Sequence, residues 1–157
     1  MSRWIRTHRL LAASIVVAAL AIASVVAFGY FEVQTAFIDD TVDQTAPVAV
    51  EDPVFTGMFE GREHDTKGTA LVLVSAGGER FVRFESFETL NGPDLHVYLA
   101  PDESGVAGAV DLGPLQGNIG DQNYAIPDGT DLAALDTVLV WCVRFEALFG
   151  AAALDAV

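Results

Sequence analysis

The sequence predicts an all-β domain, an antiparallel β-sandwich, carried behind one N-terminal transmembrane helix. Three observations predict it. Residues 10–31 form a run of 22 with no charged side chain, preceded by Arg3, Arg6 and Arg9. Beyond Pro53 the apolar runs are short and are separated by Gly and Pro. Within one of them, residues 94–100, polar and apolar side chains alternate with the period of two that a half-buried strand requires.

Residues 1–9 are a short basic stub and residues 10–31 are the helix. At 1.5 Å per residue that helix covers about 33 Å, enough for a hydrocarbon core of about 30 Å. Only Ser14, Ser24 and Gly29 fall outside the apolar set. Phe28, Tyr30 and Phe31 gather at its far end, where aromatics favour the membrane interface. The alternative is a cleaved signal peptide, because Ala21-Ile22-Ala23 has the small-residue pattern of a cleavage site. The apolar run continues for eight residues past Ala23, which favours an uncleaved signal anchor. Positive-inside orientation keeps the Arg-bearing stub in the cytoplasm and places everything after Phe31 outside, as a single-pass cell-membrane protein.

Charge separates along the same line. The chain has 8 Lys and Arg against 22 Asp and Glu, and no acid precedes Glu32. Residues 32–157 therefore hold 5 basic and 22 acidic side chains, a net of −17. So acidic a surface excludes a nucleic-acid partner, which would need cations for its phosphates. Residues 32–52 carry six acids, no basic residue and one Pro. They are expected to be a solvated acidic linker, extended by like-charge repulsion. A calcium loop would need a ligand spacing that this stretch does not have.

From residue 53 the domain is read strand by strand. Residues 69–74 and 80–87 flank Ala76-Gly77-Gly78-Glu79 as a hairpin. Asn91-Gly92-Pro93 breaks the chain, and residues 94–100 follow with Leu95, Val97 and Leu99 on one face and Asp94, His96 and Tyr98 on the other. A Gly-rich stretch, 113–120, leads into a strand at 122–126. Residues 131–135 suit one helical turn, 137–149 one or two strands, and 152–157 a last strand. Strands at this spacing with Gly and Pro at the joints build a sandwich or barrel. Tyr124 and Trp141 are expected as core aromatics whose polar ends need partners.

Familiar catalytic templates are missing: there is no GxGxxG, Walker loop, HExxH or GxSxG. No nucleophile–base pair is advertised, so nothing marks a stand-alone enzyme. One cysteine excludes an internal disulfide, a Cys₄ zinc site and a CxxC pair. That residue, Cys142, alternates with Val138 and Val140, opposite Trp141, Val143 and Phe145. It reads either as a small buried hydrophobe or as a redox thiol or soft ligand in an oxidising compartment. Arg144, two residues on, would share its strand face and support a thiolate. His64 and His96 are the histidines outside the stub, and both read more simply as a loop residue and a strand-surface residue than as ligands. With Met58 and Cys142 they are the ligand types of a blue-copper site. Such sites gather Cys, His and Met on one loop, however, and no His or Met follows Cys142. No metal site is therefore expected. A haem would have to be held without a CxxCH motif, by Cys142 or a histidine.

Longer blocks give a resemblance. Gly57-Met58-Phe59, His64, Gly68, Phe84 and Phe87 come first. Asn91-Gly92-Pro93-Asp94-Leu95-His96-Val97-Tyr98-Leu99 follows, and then the run LGPLQGNIGDQNYAIP at 112–127. Val140-Trp141-Cys142, Phe145, Phe149-Gly150 and Leu154 close the series. In this order, over about residues 54–155, the chain resembles the DM13 domain family. The resemblance implies a β-sandwich of extracytoplasmic proteins, in some cases alongside DOMON-type domains. It implies a role in electron transfer or oxidative modification, centred on the cysteine matched by Cys142, as a bare thiol or a ligand to a group such as haem. Without an accompanying oxidoreductase domain, a redox partner would be a separate protein. The other function class that fits is a non-catalytic cell-surface binding or adhesion module with a structural Cys142.

Overall fold

The computed structural model describes residues 2–30, 38–47 and 53–157. The chain divides into two compact units, Met1–Gln34 and Thr35–Val157. In the first, helix α1 (Ser2–Val25) continues into one π-helical turn, Val26–Tyr30. Leu11–Tyr30, 20 residues with mean hydropathy 2.6, is long and apolar enough to cross a membrane. Its Leu, Ile and Val side chains are exposed. The polar Ser24 hydroxyl is satisfied internally, donating to Leu20 O at 2.9 Å. Phe31, the expected end of the helix, lies outside the described residues.

The second unit is all β, two sheets packed face to face. Its strands are β1 (Thr41–Asp43), β2 (Phe55–Met58), β3 (Glu60–Gly61), β4 (Thr66–Val74), β5 (Arg80–Thr89), β6 (Leu95–Ala100), β7 (Val110–Pro114), β8 (Ile119–Ile126), β9 (Thr137–Cys142), β10 (Ala147–Ala153) and β11 (Asp155–Ala156). One sheet runs β1-β8-β5-β4-β2-β11 and the other β3-β10-β9-β6-β7. Among the described strands every ladder is antiparallel except β1 with β8.

Alternation decides which side chains fill the space between the sheets. Val72, Val82, Phe84 and Tyr124 come from the first sheet and Val97, Leu99, Val138 and Val140 from the second, all at most 3% exposed. Phe84 is the hub of the aromatic part, with ring centroids 4.7 Å from Phe59, 4.9 Å from Phe87 and 5.1 Å from Tyr124. Offset and edge contacts at this range add to the area buried. The Tyr124 hydroxyl donates to Gln122 Oε1 at 2.5 Å and accepts from Gln116 N at 3.1 Å. A buried phenol is tolerated because both partners are provided.

Several expectations change in detail. The stretch expected as a solvated stalk contributes β1, which pairs Thr41, Val42 and Asp43 with Ile119, Gly120 and Asp121. Residues 137–149 resolve into two strands around a turn, and the expected last strand at 152–157 divides between the end of β10 and β11. The turn at 131–135 closes one helical hydrogen bond, Leu135 N to Asp131 O at 3.0 Å. Tyr124 is a core aromatic, but Trp141 is not. It pairs with His96 on the outer face of the second sheet and is only half-buried. That face carries a smaller cluster of Ala100, Leu139 and Ala151, with Val106 and Ala109 packed on it.

Candidate functional site

Cys142 ends β9, paired with Leu95 on one side and Ala147 on the other. Alternation turns it inward with Val138 and Val140, and its exposure is 0%. The thiol donates to the Pro93 carbonyl at 3.1 Å. Two turns roof it. Residues 91–94 enter β6, Gly92 N binding Asn91 Oδ1 at 2.9 Å and Asp94 standing at φ +64°. Residues 143–146 join β9 to β10, and Val143 N donates to Asp94 O at 3.0 Å, fastening one turn to the other. Gly92 leaves room for the Phe149 ring, since a Cβ there would stand 2.9 Å from Phe149 Cζ. Arg144 does not share the strand face of Cys142, because β9 stops at Cys142 and Arg144 belongs to the turn.

The two histidines go elsewhere. His64 is half-buried in the β3–β4 connection, its ring 4.1 Å from that of Phe149. It lines an open hollow of about 620 Å³ with Arg62, Asp65, Lys67 and Glu88. His96 points from the opposite face of the sheet to Cys142, with Nδ1 3.0 Å from Asp111 Oδ2 and Nε2 3.6 Å from Asp94 Oδ1. Partial burial, then the Asp111 carboxylate, pushes the neighbouring Tyr98 hydroxyl above its ordinary pKa. Met58 is 76% exposed. The structure thus does not bring Met58, His64, His96 and Cys142 together. Among the described residues no group of three or more His, Cys, Asp or Glu is placed to hold a metal ion.

A second polar constellation lies on the first sheet. Arg83 is 5% exposed and spends its guanidinium on four partners: Glu85 at 2.8 Å, Asp121 at 2.6 Å, Asn123 at 3.1 Å and the Gln44 carbonyl at 3.0 Å. A buried guanidinium is stable only when its fork is satisfied in this way. Beside it, Gln122 binds the 116–117 backbone, accepting from Gly117 N at 3.2 Å and donating to Gly117 O at 2.6 Å. That holds Asn118 toward residues 39 and 40. Sequence reasoning passed over Arg83, Asn118 and Asn123. Asn118 and Asn123 had one signal, polar side chains in and just after the Gly-rich block, and Arg83 had its place as a cation inside an apolar strand.

Residues 58–154 match the family described as Electron transfer DM13. The chain belongs to the DM13 family. No curated protein and no solved structure matches it. The matched region begins at the last residue of β2 and takes in Cys142, His64, His96 and the Asn118–Asn123 block. It leaves out β1 and the helix. Whether this DM13 domain suits a haem can be judged from its own residues. Axial ligation needs a sulfur or imidazole with an open approach inside a largely apolar cleft. The Cys142 sulfur has no exposed surface and faces a carbonyl oxygen, and the hollow at His64 is walled by charged side chains. These residues do not fit the group.

Proposed function

We propose that this DM13 protein is a membrane-anchored, extracytoplasmic redox component in which Cys142 is the reacting thiol and a separate redox protein is the partner. The family's electron-transfer description and the apolar N-terminal helix support that reading. The observation that carries it is the setting of Cys142: the chain's one thiol, enclosed, under two turns that the Val143 N to Asp94 O hydrogen bond joins. In the closed state its Sγ donates to Pro93 O and has no line of attack. Parting the turns would expose the sulfur, its proton passing to solvent as it reacts. The thiolate would then attack a partner's disulfide, forming one S–S bond and expelling the partner's other sulfur as a thiolate. With no second cysteine in the chain, the mixed disulfide must be resolved by a thiol of a third molecule such as glutathione, because attack by the partner's own expelled thiolate would only restore the starting pair.

The test is an oxidised-glutathione titration of the full chain in detergent micelles, followed by intact mass and by the folded-state spectrum together. A glutathione adduct on Cys142 at concentrations that leave the fold intact is the expected result. A thiol that stays reduced until the sandwich melts sinks the proposal. The second reading, a non-catalytic surface-binding module, is favoured by the 0% exposure of Cys142, and it predicts that second outcome.

A further inference from the structure

Residues 38–47 lie outside the matched family region, yet residues inside that region bind them. Around the parallel ladder of β1 and β8, side chains of the sandwich take hold of the segment's main chain. Asn118 Oδ1 accepts from Asp40 N at 2.7 Å, and Arg83 Nη1 donates to Gln44 O at 3.0 Å. Asn123 Nδ2 donates to Thr45 O and Asn91 Nδ2 to Ile38 O, each at 2.9 Å. Backbone bonds add Ile119 N to Asp40 O at 3.2 Å and Gln44 N to Asp121 O at 2.9 Å. Two side chains of the segment are read as well. Asp39 Oδ1 accepts from Asn118 Nδ2, and Gln44 Oε1 from Asn123 N, both at 2.9 Å.

Two missing side chains shape the groove. A Cβ on Gly117 would stand 2.6 Å from Asp40 O and from Val42 Cγ2. On Gly120, at φ +104°, it would stand 1.9 Å from Val42 O. The other ladders among the described strands are antiparallel and held strand to strand. This one is parallel and reinforced by carboxamides, which offer the donor and acceptor that an extended main chain presents in alternation. Main-chain capture at a sheet edge, with a few side chains read for specificity, is how strand-addition sites bind peptides. Of the segment's three Asp side chains Asp39 is read, by Asn118, while Arg83 is satisfied by Glu85 and Asp121 and meets the segment at the Gln44 carbonyl.

We propose that the β8 edge is a peptide-binding groove for an extended strand, and that residues 38–47 are its tethered occupant, docked and released as a unit. Release would lengthen the leash in front of the domain by up to roughly 3.4 Å per residue freed. It would also open the β8 edge to a strand from elsewhere.

The test uses the full chain with an N-terminal affinity tag and with residues 48–52 replaced by a protease recognition sequence. After complete cleavage the sandwich should still be captured through the tag. An excess of a synthetic peptide of residues 38–47 should displace it. The peptide carrying Asp39→Ala and Gln44→Ala should displace it about tenfold less well, as expected for two lost hydrogen bonds. A sandwich that washes through on cleavage while folded by circular dichroism overturns the proposal. So does retention that excess peptide leaves unchanged. A captured complex with the mass of two chains also overturns it, since the occupant would then be a second copy's segment.

Discussion

Cys142→Ala removes a sulfur from a packed site and leaves the Pro93 carbonyl without its donor. Both effects act in the same direction, a loss of about 1–3 kcal/mol in all. Cys142→Ser buries a hydroxyl in an apolar setting, which by itself is costly. Here the hydroxyl finds Pro93 O in reach of the thiol's own 3.1 Å bond, so the loss should be the smaller of the two. Urea denaturation of both variants checks the order. Ser worse than Ala would mean that the cost of burying the hydroxyl outweighs its hydrogen bond to Pro93 O. A second residue-scale effect is alkaline. Burial pushes the Tyr124 hydroxyl well above its ordinary value of 10.0, and partial burial with Asp111 raises Tyr98. A phenol whose folded pKa is raised keeps its full stability contribution below the unfolded value and loses it as pH climbs above that value. The denaturation midpoint should therefore fall as pH rises above about 10, and Tyr124→Phe should flatten that fall. An unchanged slope in the Phe variant would place the alkaline loss on other groups.

At the scale of elements, one hydroxyl ties the two sheets together. Thr66 Oγ1 on β4 meets Thr89 Oγ1 on β5 at 2.8 Å and donates to Phe149 O on β10 at 3.1 Å. Thr66→Val keeps the shape, strands the Thr89 hydroxyl and takes one of two donors from Phe149 O, which keeps Arg62 N at 2.9 Å, so a loss of about 1–3 kcal/mol is expected in a denaturant melt. Thr89→Val, which leaves the Phe149 contact in place, should cost less. Elements of this kind were legible in part. The β4–β5 hairpin and the faces of β6 follow from alternation and turn residues, because one side of each is buried and the other is not. The inward direction of Cys142 was legible for the same reason, from Val138 and Val140. What it faces was not, since the Pro93 carbonyl comes from a turn 49 residues earlier. β1 was illegible for a stronger reason. It is three residues long, acidic, and held by Asn118, Asn123 and Arg83 far along the chain, so local composition reads only its charge. Trp141 was misplaced because a large aromatic in a strand suggests core. Here the loop carrying Val106 and Ala109 shelters an outer face instead.

At the scale of the molecule the balance is between a satisfied interior and a surplus of negative charge. The sandwich and the segment before it carry 22 acids against 5 bases. Arg62 answers Glu60 and Glu103, Lys67 answers Glu88, and Arg83 answers Glu85 and Asp121. Many carboxylates remain without a cation beside them, and their mutual repulsion acts against the compact state. Salt shortens the reach of such repulsion to about 10 Å at 0.1 M. It also weakens the exposed pairs, but those are worth only about 0–1 kcal/mol each. The Arg83 pairs are too buried to be screened much, with a side-chain exposure of 6% on the arginine. The repulsive term should therefore win. The melting temperature of the full chain in detergent, followed by near-ultraviolet circular dichroism, should rise as NaCl is raised from low millimolar to a few hundred millimolar. Arg83→Met should melt lower at every salt concentration while keeping the same upward slope, because it loses a buried network rather than a screened one. A melting temperature that falls with salt would mean that surface attraction outweighs repulsion, and that the acidic surplus does not strain the fold.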